Sequence, residues 1–352
     1  MNAFHDLWPT IVRRIVQGDG LDISFPKRSI EALVSRTEKH GGGILNGFNI
    51  GIEGIQLAIS VLCFLAFSYV LGHVFLILAS VETDAPASYT QVPGGVIDEA
   101  EGPKDPADEE HDMSTRPVTG SLRSTYRRLL SIGGKKSLFR GLSCFVAYGL
   151  ASYPIGFLLG LIPFVPGIVS AGIASLITMQ LHTAWTHIVI SEPSAEPFWR
   201  RLPRFDLVLR ATAIPTVILG SITGFEQVVI RSIILSGIGL TPIGPLLLLI
   251  FHAVYTFIAI VPAEAVLARV QASLLPEEDR PIISLDAVFD QQKAEGKEYI
   301  STREAYQSLS RATWKRLYML HVKYFGLSLL VFILWGAVGY VGAIIARKFH
   351  VA

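Results

Sequence analysis

Apolar and polar positions alternate in long blocks along this chain. Apolar runs lie at about 53–80, 142–162, 167–190, 205–224, 243–270 and 321–346. At 1.5 Å of rise per residue, each is long enough to cross a bilayer as a helix. The pattern predicts an all-α membrane protein with six transmembrane helices. Near the start, Phe4, Leu7, Trp8, Ile11, Val12, Ile15 and Val16 fall at helical spacing, with Arg13 and Arg14 between them. That spacing predicts an amphipathic helix lying on the membrane or on the other helices. Asp6 argues against a targeting peptide.

The polar blocks differ in kind. Residues 81–117 carry Asp98, Glu99, Glu101, Asp105, Asp108, Glu109, Glu110 and Asp112 among Pro, Gly and Ser. Such a segment cannot bury a core and is expected to be a disordered, solvated loop. Residues 121–136 turn basic, with Arg123, Arg127, Arg128, Lys135 and Lys136 around Tyr126, Leu129, Leu130 and Ile132. This predicts an interfacial helix on an anionic surface. Pro163-Phe-Val-Pro166 predicts a tight turn, and 273–312 a polar loop with an amphipathic stretch from Ser301 to Leu309.

Composition agrees with the hydropathy pattern. Of 352 residues, 51% are hydrophobic and 17% charged, against roughly 25% charged in soluble domains. A net charge of +1 supplies no field for nucleic acid. Cys63 and Cys144 fall inside apolar runs and read as small membrane hydrophobes. No metal, nucleophile or phosphate-loop spacing appears, so neither cofactor nor enzymatic activity is expected. The lipid bilayer is the expected partner. Loops 81–137 and 273–312 are the segments for protein contacts.

The six runs fall into three pairs, and an aromatic–basic dipeptide precedes the second member of each: Phe139-Arg140, Trp199-Arg200 and Trp314-Lys315. The last two agree further, as Trp199-Arg-Arg-Leu202 and Trp314-Lys-Arg-Leu317. A threefold internal repeat follows, giving a polar arm (1–44) and units 45–162, 163–230 and 231–352.

This pattern resembles the mitochondrial carrier family, whose fold is three repeats of two membrane helices around a central cavity. Odd-numbered helices of that family end in Pro, any residue, an acid, two residues and a base, often followed by Arg and Gln. Pro262-Ala-Glu264-Ala-Val-Leu267-Ala-Arg269-Val-Gln271 keeps the proline, the acid, the later arginine and the glutamine, with Leu267 in place of the base. A second family motif is matched by Gly133-Gly134-Lys-Lys-Ser-Leu138-Phe139-Arg140-Gly141, without its leading acid. The resemblance covers about 45–346. It implies a gate of acid–base pairs drawn from all three repeats. Here the first repeat has neither the proline nor the acid, and the second has Gln180, His182 and His187. Such erosion resembles carrier-like proteins that serve scaffolding, insertion or fusion in the mitochondrial outer membrane. The expectation is a transport-incompetent scaffold in a mitochondrial membrane, outer or inner, with peroxisome as the fallback. The alternative is a divergent exchanger of a small anionic solute.

Three sites carry candidate chemistry. Pro262 kinks its helix, and Glu264 with Arg269 reads either as a residual gate or as a packing ion pair. His182, Thr186 and Thr178, beside Thr183 and His187, form two stripes that either line a cavity or bond neighbouring helices. Arg210 either snorkels or contacts an anion.

Overall fold

The computed structural model describes residues 58–84, 117–238, 241 and 243–351. The expected N-terminal arm and the acidic run from Asp98 to Asp112 lie outside them. The described elements are all helical, apart from two isolated bridges. In chain order they are α1 (Ala58–Val81), α2 (Leu122–Gly133), α3 (Leu142–Gly160), α4 (Gly167–Ile190) and α5 (Phe205–Leu235). Then follow α6 (Gly244–Ala272), α7 (Ala287–Ala294), α8 (Thr302–Gln307) and α9 (Arg311–Val351).

Five helical stretches among the described residues are long and apolar enough to cross a membrane: α1, Leu122–Gly160, α4, α5 and α6. Their large apolar side chains are widely exposed, as at Leu150, Tyr153, Ile214 and Ile258. An apolar surface this extensive is suited to hydrocarbon rather than water. The chain is therefore read as a helical membrane protein. The expected sixth span, 321–346, falls inside α9, which begins ten residues earlier.

Two helices carry π-helical turns. In α6 the turn spans Thr256–Ile260 and runs directly into Val261-Pro262. Proline has no N–H for the carbonyl one turn back, and its ring crowds that carbonyl. A widened turn absorbs the mismatch without breaking the helix. In α1 the turn spans Ser68–Val74 with no proline. Tyr324 packs there, 3.5 Å from where a Cβ on Gly72 would stand, and its hydroxyl meets Ser68 Oγ at 3.0 Å.

α5 runs eleven residues beyond its expected end at 224, continuing past the unit boundary expected at 230. Glu226, Gln227 and Arg231 suggest an exit from the apolar layer, yet Glu226 is buried and its carboxylate pairs with His252 of α6 at 2.5 Å. The helix stops at Gly237. Small residues bring α4 and α5 together: a Cβ on Gly220 would stand 3.0 Å from the carbonyl oxygen of Ala171.

By packing, the chain divides into two units. The smaller holds residues 1–67, 160–166 and 325–352. Its turn Gly160–Pro166 is closed by the Val165 N–H on the Ile162 carbonyl at 3.1 Å. The larger, Ser68–Leu159 with Gly167–Tyr324, holds the residues discussed below.

Candidate functional site: a laced helix end

α1, α4 and α6 end in buried residues, Val81, Ile190 and Ala272. A helix end leaves carbonyls without intrahelical partners. Here the chain after α6 supplies those partners. Ile282 N–H bonds to the carbonyl of Ile190 at 2.9 Å and Glu192 N–H to that of Arg280 at 2.8 Å. Asp286 N–H bonds to Val81 at 3.1 Å and Thr83 N–H to Ser284 at 3.0 Å. Two antiparallel bridges, Ser191 with Pro281 and Glu82 with Leu285, complete the lacing. Ile282 and Ile283 are buried there with Leu274, Leu275, Phe289 and Ile300. This strap ties the end of α4 to the end of α1.

Arginines reinforce the same region. Arg140 donates from Nε to the Ile188 carbonyl at 3.1 Å and from Nη2 to that of Ser191. Arg201 reaches Ser191 Oγ at 2.8 Å and forms an ion pair with Asp279 at 2.9 Å. Arg316 donates to the carbonyls of Ala79 and Glu82, both at 3.0 Å, and pairs with Asp84 at 2.9 Å. Each of the three sits just before or at the start of a long helix, and each holds the end of a different one or the chain following it. A guanidinium suits this task because its donors fan out in one plane.

Arg269 is the most enclosed of them, with 0% of its surface exposed. Its Nε donates to Ser308 Oγ at 2.9 Å and Nη1 to the Ser80 carbonyl at 2.9 Å. Nη2 lies 3.0 Å from Asp286 Oδ2, an ion pair by distance, though its N–H alignment falls short of a hydrogen bond. The Phe289 ring lies below the guanidinium, 5.3 Å from its carbon. Asp286 also caps α7, accepting from Val288 N–H at 3.1 Å. The expected pairing of Arg269 with Glu264 is not made. Five positions separate them on one helix, so their side chains leave on different faces. Glu264 is half-buried and makes no hydrogen bond or ion pair with any described residue.

Gln271 gathers the polar stripe of α4. Thr186 Oγ1 donates to Gln271 Oε1 at 2.7 Å, and Gln271 Nε2 donates to Thr183 Oγ1 at 3.2 Å. His187 Nε2 meets the Gln271 carbonyl at 2.8 Å, and the side-chain amide lies about 3 Å from His182 Nδ1. Thr178 turns back onto its own helix, to the Ala174 carbonyl at 2.8 Å. The stripe therefore bonds neighbouring helices.

The aromatic–basic dipeptides divide in their roles. Phe139 is partly exposed, while Arg140 is buried. Gly141 has φ +73°, and a Cβ there would meet Trp185 Cδ1 at 2.9 Å. Trp185 Nε1 in turn donates to Tyr69 Oη at 3.1 Å, and that hydroxyl donates to the Arg140 carbonyl. Trp199, Arg200 and Lys315 are exposed. Trp314 stacks on Tyr318, with centroids 5.7 Å apart. After the second and third dipeptides it is the next residue, Arg201 and Arg316, that anchors a helix end. Their agreement in Trp-base-Arg-Leu was the signal for it. Arg210 is 56% exposed, 3.3 Å from Glu298 and 3.7 Å from Asp206. Asp84, Asp279 and Asp286 carry no motif, and only the folded chain brings them to their arginines.

Beyond the helical spans, Asp84 titrates below the usual carboxylate range. Burial pushes it up, but hydrogen bonds from Ser310 and Thr313 and the Arg316 charge outweigh that. Among the described residues, no group of three or more His, Cys, Asp or Glu could hold a metal ion. The fold and this site define a helical membrane protein whose helix ends are locked by a strap and buried arginines. The chain matches no family model and no curated protein.

Proposed function

We propose that this chain is a polytopic organellar membrane protein of carrier-like architecture, six spans in three two-helix repeats, that has given up transport. It serves as a membrane scaffold, or as a factor for membrane insertion or membrane dynamics, in a mitochondrial membrane. It performs no catalysis, and loops 81–137 and 273–312 offer its protein contacts.

The observation that carries this reading is the strap from Arg280 to Asp286. A carrier must open and close both ends of its cavity in turn, which calls for contacts that part easily. Here backbone hydrogen bonds, buried isoleucines and a fully enclosed arginine join the helix ends. Parting them would expose unsatisfied carbonyls and an unpaired charge. The repeat reading draws support from Arg140, Arg201 and Arg316, each serving a seam between one expected repeat and the next. The alternative, exchange of a small anion, calls for a free cation facing the helices. Arg210 is an exposed residue already engaged by two carboxylates.

The test is uptake into liposomes holding the purified protein, screened against nucleotides, carboxylates and phosphate. A well-folded protein that moves none of them is the expected result. Saturable exchange abolished by Arg210→Ala or Glu264→Gln would overturn the proposal. Fractionation of mitochondria and peroxisomes tests the location.

A further inference from the structure

The expected spans stop at 224 and resume at 243, which leaves the connection between α5 and α6 to water. The structure gives that connection an apolar surface. On α6, Ile243, Leu247, Ile250 and Val254 are between 45% and 61% exposed. They recur every three or four positions, so they form one stripe from deep in the span to its first turn. The surface that meets lipid in the span thus continues to the tip of the hairpin. On α5 the tip adds Ile234 and Leu235, and Ile238 follows, all three exposed.

The hairpin also reaches beyond its neighbour. α4 begins at Gly167, where a Cβ would stand 3.1 Å from Val228 Cγ2. α5 goes on through residues 229–235, about 10 Å farther at 1.5 Å per residue. The tip therefore lies past the start of α4, at the end of α4 opposite the strap.

Polar groups of the tip are turned inward. Ser232 and Ser236 donate to the carbonyls of Val228 and Ile233, at 2.8 and 2.9 Å, and Thr241 to that of Ile238 at 2.6 Å. The backbone N–H groups of Ser236, Gly237, Thr241 and Gly244 bond to the carbonyls of Ser232, Ile234, Ile238 and Thr241, at 2.9 to 3.1 Å. A turn that satisfies its own hydrogen bonds is what hydrocarbon requires. A protein-docking surface instead shares about one hydrogen bond per 100–200 Å² with its partner, and these three hydroxyls are spent on their own backbone. Arg231 is the one charge among the described residues from Val228 to Leu249. Its side chain is long enough to carry the guanidinium out to a headgroup layer.

We propose that the tip of the α5–α6 hairpin is a lipid-inserted wedge. Leu235, Ile238, Ile243 and Leu247 bind phospholipid acyl chains in the leaflet opposite the strap, and Arg231 meets the phosphates above them. The inference goes beyond the proposed function and does not depend on it, because neither transport nor its loss alters what surrounds this tip.

Site-directed fluorescence quenching tests it in the full-length protein, reconstituted in phosphatidylcholine vesicles after Cys63→Ala and Cys144→Ala. A bimane label is placed at Leu235→Cys, at Ile258→Cys in mid-span and at Gln307→Cys on the exposed side of α8. Phosphatidylcholine brominated on its acyl chains should quench the labels at 235 and 258 to similar extents. Iodide on both sides of the vesicle should quench the label at 307 and act severalfold more weakly at 235. Should Leu235→Cys fail to fold, Ile243→Cys carries the test. Iodide quenching as strong at 235 as at 307 places the tip in water and overturns the proposal. A label at 235 that neither quencher reaches marks a protein contact and overturns it too, and an intermolecular disulfide through Leu235→Cys would assign that contact to a second copy.

Discussion

Arg269 and Asp286 form an ion pair at 3.0 Å across the end of α6, with the arginine completely enclosed. The pair joins a membrane helix to the cap of α7. Through Nη1 it also joins α6 to the end of α1 at Ser80. Removing one partner of such a buried pair leaves an uncompensated charge, at a cost of about 3–5 kcal/mol. Arg269→Met should therefore lower the melting temperature in detergent sharply. Asp286→Asn should do so as well. The double variant should lose less than the two losses added, because neither charge is then left enclosed without its partner. Additive losses would show that the two residues are not coupled.

Gly141 allows a test of backbone against packing. Its φ of +73° and its approach to Trp185 both exclude a side chain. Gly141→Ala should destabilise by more than the ~1–2 kcal/mol of the left-handed conformation alone, since Trp185 must also shift. Gly149 lies inside α3 with only ordinary contact to Tyr153. Gly149→Ala should be neutral or stabilise by up to ~1 kcal/mol. Equal thermal shifts for the two variants would contradict this account.

Gln271 holds three side chains and one histidine–carbonyl contact in a single knot. Gln271→Leu keeps the bulk and strips Thr183, Thr186 and His182 of a shared partner. Thr183 and Thr186 keep their bonds to the Met179 and His182 carbonyls, at 2.9 and 3.1 Å, so the cost is that of lost hydrogen bonds, about 0.5–1.5 kcal/mol each. The expected outcome is a lower melting temperature with membrane incorporation unchanged, read by thermal scanning and by carbonate extraction.

The acid limb of stability should depend on Asp84. Its folded carboxyl titrates below the unfolded value, so it holds its proton less tightly when folded. The stability it contributes is therefore fully present above the unfolded value, about 3.9, and is lost as pH falls through that value toward the folded one. Melting temperature should decline below about pH 4 in the wild type, and Asp84→Asn should start lower and decline less. Glu304 titrates at about 2, held there by the Ser301 backbone N–H, then by Lys297 and the Ser301 side chain. That carboxylate is exposed, so Glu304→Gln should change the acid limb little.

Much of the architecture was legible without the fold. The apolar run expected at 167–190 matches α4 end for end, and the basic amphipathic stretch after residue 121 is α2, capped by Ser121. Ser301 to Leu309 contains α8, whose Ser301 and Glu304 make a capping box. These features are local: hydrophobic periodicity and capping chemistry act within a few residues. The extension of α5 was not legible, because Glu226 is tolerated only where His252 meets it. The π-helical turn in α1 carries no proline and was likewise invisible.

The sequence by itself determined that this is a helical membrane protein, where most of its spans begin and end, and which bases stand before its long helices. Tertiary structure alone decided what those bases hold. Arg269 looks toward Glu264 along the chain and pairs with Asp286 in space; Arg201 and Arg316, not Arg200 and Lys315, anchor helix ends; Arg210 stays outside. The reason is physical. Periodicity records which face of a helix shuns water, but an ion pair depends on where a loop returns, and that is settled by the packing of the whole chain.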